Sequence, residues 1–231
     1  MIKVAAFSDG HGTLPEIQEP FDLLLIAGDS IDLYIQRHKE RTISWYENDF
    51  VNWINQLPFK AEDSKVLWIA GNHEVGWEEL KDKRFEIAKN VQSKTNNRAI
   101  YLEDSSYNFK GLTVYGTPWC KIFYNWAFMK NSDSLKASYS NIPVNCDILL
   151  THDAPYGVSD VCLDWPKYEQ RHIGNSELKD AILEKGPKIN IHGHLHSANH
   201  EKEILGNTEV YCVSIKNEAY DDVYPILYLD L

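Results

Sequence analysis

The sequence predicts a layered α/β fold made as one domain over residues 1–231, and three observations carry that prediction. Short, nearly continuous apolar runs alternate with stretches of helical periodicity, the last part of the chain is rich in strand-like patterns, and polar clusters fall directly after the apolar runs. Strands buried on both faces read as continuous hydrophobic runs. Their alternation with helices marks a layered α/β architecture, and open α/β sheets carry their chemistry just beyond the strand ends.

The strand candidates are residues 2–8, 23–27, 65–70, 112–116, 147–151 and 188–192. Residues 107–109 are expected to pair with 112–116 across the turn at Lys110-Gly111. Trp45, Phe50, Trp53, Ile54 and Leu57 fit one helix face, stopped by Pro58. Trp77, Leu80, Ile87, Ala88 and Val91 fit a second, with the stem of Arg84 filling the gap. Ser176 reads as the N-cap of a helix through Glu184, closed by Gly186-Pro187. Residues 210–214 and 226–229 read as further strands.

Composition bounds the function. At 43% hydrophobic, the chain can bury a sizeable core. No apolar run approaches the ~20 residues of a membrane span. Residues 1–7 run into Ser8-Asp9 with no basic region or cleavage site, so they read as a first strand, and no membrane association is expected. The four cysteines (Cys120, Cys146, Cys162, Cys212) form no C-x-x-C pair, and a cytoplasmic protein with free thiols is the simplest expectation. Net charge is −11 with Lys and Arg dispersed, which leaves no basic footprint for duplex nucleic acid. A small phosphate ester drawn into a locally positive cleft is compatible with it.

Five of the nine histidines fall in five motifs. Asp9-Gly10-His11 ends the first strand, where side chains two apart share a direction and can grip one ion. Gly28-Asp29 follows the second run. Gly71-Asn72-His73-Glu74 follows the third, with Asn72 a neutral oxygen donor and His73 free to act as an acid. Thr151-His152 follows residues 147–150, and Gly193-His194-Leu195-His196 places two imidazoles two apart beside a glycine that admits close backbone approach. Alone, each reads as readily as a turn or a packing residue. The ordered set is far more specific.

In that order the motifs resemble the calcineurin-like metallophosphoesterase superfamily, whose pattern is D-x-H, G-D, G-N-H-D/E, H and G-H-x-H. Tyr115-Gly116-Thr117-Pro118-Trp119, Asn125-Trp126-Ala127-Phe128, Thr151-His152-Asp153-Ala154-Pro155-Tyr156-Gly157 and His172-Ile173-Gly174 are similar to the branch of metallophosphoesterase-domain-containing proteins. Asp153 departs from the glycine expected after the metal-binding histidine.

The resemblance implies an α/β/β/α sandwich with mixed sheets and two neighbouring divalent-metal sites. Asp9, His11, Asp29 and His196 would hold one ion, and Asp29, Asn72, His152 and His194 the other, with Asp29 bridging. Manganese is the first expectation for the ions, with iron, zinc or cobalt as alternatives. Two divalent ions less Asp9, Asp29 and a bridging hydroxide leave about one positive charge for an anionic phosphoryl group. The implied reaction is P–O hydrolysis by metal-bound hydroxide, with His73 protonating the leaving alkoxide.

The protein-phosphatase branches carry G-D-x-x-D-R-G; here Gly28-Asp29-Ser30-Ile31-Asp32-Leu33-Tyr34 lacks the phosphate-clamping arginine. That counts against those branches, and the branch resemblance instead implies a small phosphodiester such as a cyclic nucleotide. A phosphomonoester, or a silent protein-binding scaffold of the same fold, are the alternatives. Trp119 and Trp126 are candidates for stacking on a nucleobase, against the alternative that this aromatic cluster packs a loop. His192 reads as a core residue, and His38, His172 and His200 as surface or packing residues.

Overall fold

The computed structural model describes residues 1–164 and 169–231. In chain order its strands are β1 (Lys3–Phe7), β2 (Leu23–Ile26), β3 (Lys65–Trp68), β4 (Ala99–Tyr101), β5 (Ser105–Phe109), β6 (Leu112–Thr117), β7 (Cys120–Lys121), β8 (Met129–Lys130), β9 (Ile148–Thr151), β10 (Val161–Asp164), β11 (Glu169–His172), β12 (Ile189–His192), β13 (Glu203–Leu205), β14 (Thr208–Cys212) and β15 (Leu227–Asp230). The α-helices are α1 (Lys39–Ser44), α2 (Val51–Ile54), α3 (Val75–Glu79), α4 (Lys83–Lys94), α5 (Ser132–Tyr139) and α6 (Ser176–Lys185).

Two mixed sheets result. The first has the order β15-β1-β2-β3-β4, parallel throughout except for the antiparallel edge strand β15. The second has the order β13-β14-β12-β9-β6-β5, with a parallel centre and an antiparallel strand at each edge.

Residue alternation explains the layering, because successive side chains of a strand face opposite sides. Ala5, Phe7, Leu24, Ile26, Val66 and Trp68 face Tyr46, Phe50, Ile54, Trp77, Ile87 and Val91 of the helical layer. Their neighbours Val4, Ala6, Leu23, Leu25 and Leu67 face Val114, Ile148, Leu150, Ile189, Ile191 and Tyr211 of the second sheet. On the far side, Tyr115, Leu149 and Val210 pack on Leu135 and Tyr139 of α5 and Leu178 and Ile182 of α6. The order helix, sheet, sheet, helix is the α/β/β/α sandwich. No helix among the described residues is long and apolar enough to cross a membrane.

The helix boundaries differ from the sequence expectation in three places. The first helical stretch begins at α1, before Trp45, and Trp45–Phe50 forms a π-helical segment between α1 and α2. The apolar face from Trp77 to Val91 is broken into α3 and α4, with Lys81 between them in the left-handed region (φ 52°). The N-cap of α6 is Asn175, not Ser176: its side-chain oxygen accepts from the Leu178 amide at 3.1 Å. Gly186 closes that helix at φ 61°, as its position after the last turn predicts.

Candidate metal centre

The five motifs all land at the C-terminal ends of parallel strands. Asp9 and His11 follow β1, Asp29 follows β2, Asn72 and His73 follow β3, His152 follows β9, and His194 and His196 follow β12. Each sheet therefore contributes one lip of the same cleft. Four of these side chains come from left-handed backbone: Asp9 (φ 58°), His11 (46°), Asp29 (51°) and His194 (70°). Non-glycine residues adopt that region uncommonly, and such strain clusters at functional sites because the surrounding structure holds it.

Two glycines permit the convergence. A Cβ on Gly71 would collide with Asp29 Oδ1, and one on Gly193 would collide with Ser8 Oγ and Asp9 Oδ2. The ligand motifs need glycine there because two chain segments meet at that point.

Nearly all the polar atoms face one small volume. Asp29 Oδ2 lies 3.3 Å from His152 Nε2 and 3.9 Å from both His11 Nε2 and His73 Nε2. Asp9 Oδ1 lies 3.5 Å from His196 Nε2, which is 3.3 Å from His11 Nε2. His152 Nε2 is 2.9 Å from Asn72 Oδ1. Three sets of atoms are close enough to share an ion: Asp9, His11 and His196; His11, Asp29 and His73; and Asp9, Asp29 and His152. A fourth set was not visible in the motifs: Cys120 with His152 and His194.

Partners behind the site aim the imidazoles. His152 Nδ1 meets the Ala27 carbonyl at 2.7 Å, and His196 Nδ1 meets the Asn217 carbonyl at 3.0 Å. A carbonyl can only accept, so both histidines carry a proton on Nδ1 and turn Nε2 into the cleft, the arrangement that metal-ligating histidines use. His11 Nδ1 is buried without a partner. The backbone amides of His194 and His73 donate to Asp9 Oδ2 (3.0 Å) and Asp29 Oδ1 (2.8 Å), so each carboxylate is fixed by the opposing motif.

Electrostatics favour positive charge here. Burial works against the ionised carboxylates, but hydrogen bonding and attraction to His196 and His152 hold Asp9 below its ordinary value. Asp29 is likewise held well below, burial being outweighed by His152 and His73. His152 is carried up to about 10 because Asp29 and Asp9 outweigh its burial. Burial takes His194 down to about 3 and His11 down to about 4, leaving both neutral and able to donate a lone pair. The buried donor set of carboxylate, amide and imidazole thus fits hard-to-borderline divalent cations.

His73 stands at the rim. Its Nδ1 is 2.7 Å from Gln36 Oε1, and its ring lies 4.3 Å from that of Trp126, tilted by 33°. Asp29, Asn72, His73, Phe123, Trp126, His194, His196, Glu218 and Tyr220 line a cavity of about 200 Å³. Trp126 therefore reaches the site. Trp119 does not line this cavity: its indole N–H donates to Asp104 Oδ2 at 2.8 Å, and Lys130 Nζ sits 3.4 Å from the ring centroid. A larger cleft of about 500 Å³ between the loop at Thr13 and the C-terminal segment contains none of the motif histidines or carboxylates.

Matches to known proteins agree with this geometry. The family model of the calcineurin-like phosphoesterases matches residues 2–198. The chain belongs to that family. It is, accordingly, a metal-dependent phosphoester hydrolase. Human metallophosphoesterase domain-containing protein 1 is 29% identical over 246 residues, covering 97% of this chain and 69% of that protein. The Caenorhabditis elegans UPF0046 protein T07D4.2 is 30% identical over 211 residues, covering 80% of this chain and 49% of its own length. Among solved structures, the Thermus thermophilus protein TT1561 superposes with a TM-score of 0.60 at 14% identity, covering 91% of this chain and 88% of that one, a likeness of fold.

Two residues inside the motif segments, Glu74 and Asp153, support the loops around this phosphoesterase site. Glu74, the last residue of Gly71-Asn72-His73-Glu74, is fully buried and accepts from the amides of Asp29, Ser30, Ile31 and Gly71 and from the Tyr46 hydroxyl. It ties the second and third motifs together. Burial and the nearby Asp29 push its carboxyl up to about 7. Asp153 is buried and accepts from the Lys121 amide and the Asn175 side chain, both at 3.0 Å. The bland readings of the other histidines agree with their surroundings: His192 is fully buried, His200 stacks on Tyr224 at 3.5 Å, and His172 meets Asp160 at 2.5 Å.

Proposed function

We propose that this protein hydrolyses a small phosphodiester, a cyclic nucleotide being the fitting class, at a pair of divalent ions bridged by Asp29. One observation carries the reading: imidazole nitrogens from four strand ends converge on Asp29 Oδ2 and Asp9 Oδ1. Asp9, His11, Asp29 and His196 would hold one ion, and Asp29, Asn72, His152 and His194 the other. Manganese, iron, zinc and cobalt all suit this mixed nitrogen and oxygen set. Bound divalent ions supply Lewis-acid polarisation of the phosphoryl oxygens and lower the pKa of water.

The chain's own residues do the rest. Asp29 and Asp9 would hold the two cations, and their charges would leave the centre only weakly positive. The Gln36 carboxamide oxygen can only accept, so it fixes the His73 proton on Nδ1 and presents Nε2 to the cleft. Burial lowers the pKa of His73 against the attraction of Asp29, so its imidazolium gives up a proton more readily than a free one. His73 is thereby placed to protonate the leaving alkoxide.

Diester is favoured over monoester by charge. Among the described residues no lysine or arginine lines the cavity, and Glu218 adds a carboxylate to it. With a centre only weakly positive and no cationic side chain beside it, a monoester dianion gains little over a diester monoanion, which leaves the diester as the fitting class. The rings of Phe123, Trp126 and Tyr220 give the walls an apolar, flat character suited to a nucleoside.

The test is a panel on metal-reconstituted protein with a nitrophenyl monoester, the matching diester, and 2′,3′- and 3′,5′-cyclic nucleotides. Higher kcat/KM on the diesters supports the reading. Preference for the monoester overturns the diester assignment, and no turnover of any ester with metals bound favours the scaffold alternative.

A further inference from the structure

Cys120 opens β7 and is fully buried. Its sulfur and one ring nitrogen each from His152 and His194 all lie within 4.8 Å of one another. Zinc binds a thiolate sulfur at about 2.3 Å and an imidazole nitrogen at about 2.0–2.1 Å, so neighbouring donors around one five-coordinate ion sit about 3–3.5 Å apart. The trio needs to close by less than about 2 Å at its widest.

The cysteine is held in this position from two sides. Its amide donates to the Phe128 carbonyl at 2.8 Å, and Cys120 pairs with Met129 in β8. On the other side the carboxylate of Asp153, the residue after His152, accepts from the Lys121 amide at 3.0 Å. Asp153 also accepts from Ala154 N and Asn175 Nδ2, both at 3.0 Å, so it is itself fixed. The residue that departs from the family's glycine is therefore the one that anchors β7 against the strand end carrying His152. The thiol also donates weakly to the Pro118 carbonyl at 3.7 Å.

We propose that the Cys120 sulfur is an additional ligand of the second metal position, joining His152 and His194. This rests on the dinuclear reading above. As the sulfur–metal bond forms, the thiol S–H bond breaks and its proton passes to solvent. Burial favours the protonated thiol in the metal-free chain, but a coordinating thiol is deprotonated by the ion it binds. A soft sulfur donor changes the selectivity of that position. Zinc and iron gain from thiolate ligation, whereas manganese prefers carboxylate and water. The two positions then differ: oxygen and nitrogen donors around Asp9, sulfur added around His152.

Cobalt(II) loading tests this without relying on turnover. Metal-depleted protein is loaded with cobalt, the content per chain is measured, and the absorption spectrum is recorded. The expected result is two cobalt ions and a sulfur-to-cobalt charge-transfer band in the near ultraviolet, lost in Cys120→Ser. Two bound cobalt ions without the band overturn the proposal while leaving the dinuclear reading intact. A band that survives in Cys120→Ser assigns the sulfur to another residue and also overturns it. Failure to bind cobalt at all overturns both. The wild-type spectrum is decisive by itself should the variant fold poorly. With folded variant, competition between zinc and manganese is a second readout: Cys120→Ser should lower the preference for zinc by about tenfold or more, since even outer partners of metal ligands shift affinity by that much. An unchanged preference contradicts the proposal.

Discussion

Glu74→Ala is the substitution whose cost follows most directly from the structure. The carboxylate is fully buried, with Oε1 accepting from Ser30 N (2.7 Å), Ile31 N (3.1 Å) and the Tyr46 hydroxyl (3.2 Å), and Oε2 from Asp29 N (3.1 Å) and Gly71 N (2.7 Å). Alanine leaves four buried backbone N–H groups without an acceptor. An unsatisfied buried donor costs about 1–3 kcal/mol, so the lower bound for four is about 4 kcal/mol before any cavity is counted. Against a typical total stability of about 5–15 kcal/mol, that is a large fraction. For a chain of this length each kcal/mol moves the melting midpoint by about 2–4 °C, which gives a drop of about 8–16 °C. The assay is thermal unfolding of metal-depleted protein in chelator, so that lost metal binding does not contribute. Tyr46→Phe is the internal comparison: it removes one hydroxyl and should cost only about 1 kcal/mol. A Glu74→Ala midpoint within about 4 °C of wild type would refute the idea that this carboxylate clamps the two loops.

Three further outcomes are expected. His73→Asn should leave metal content unchanged and slow esters with poor alkoxide leaving groups by about 10²–10⁴, with a much smaller loss on nitrophenyl esters; a uniform loss across leaving groups contradicts the proton-donor role. Trp126→Ala should weaken nucleotide substrates by about 1–3 kcal/mol relative to a methyl diester, whereas equal losses on both mark Trp126 as a packing residue. Asp22 is pulled below its ordinary pKa of 3.8: burial opposes this, but Lys60, the Lys3 amide and Lys110 outweigh it. Its stabilising contribution is thus complete above pH 3.8 and fades as pH falls through the lower folded value. The stability gap between wild type and Asp22→Asn should accordingly shrink in acid, and a gap independent of pH would show that Asp22 acts by packing alone.

The sandwich was legible because its inner strands are buried on both faces and read as apolar runs, as residues 23–26 and 148–151 do. The convergence of the motifs was legible because each sits at a strand end, where local sequence and three-dimensional position coincide. What escaped depended on non-local contacts. Nothing local marks Lys81 as the left-handed residue that splits α3 from α4. Ser176 and Asn175 are both competent caps, and the backbone selects Asn175. Short strands such as β4 and β13 carry too few residues for a period to show. The two tryptophans read alike, and only the fold shows Trp126 against His73 and Trp119 against Asp104. Cys120 is separated from His152 by 31 intervening residues, so its place beside His152 and His194 has no spacing signature.

The central claim is that Asp29 is shared between two ions. Anomalous scattering from crystals of metal-reconstituted protein tests it most directly, with the Asp29→Asn variant measured alongside. Two peaks per chain flanking the Asp29 carboxylate are expected in the wild type, with loss of occupancy at both in Asp29→Asn. A single peak in the wild type, or two undiminished peaks in the variant, would contradict it.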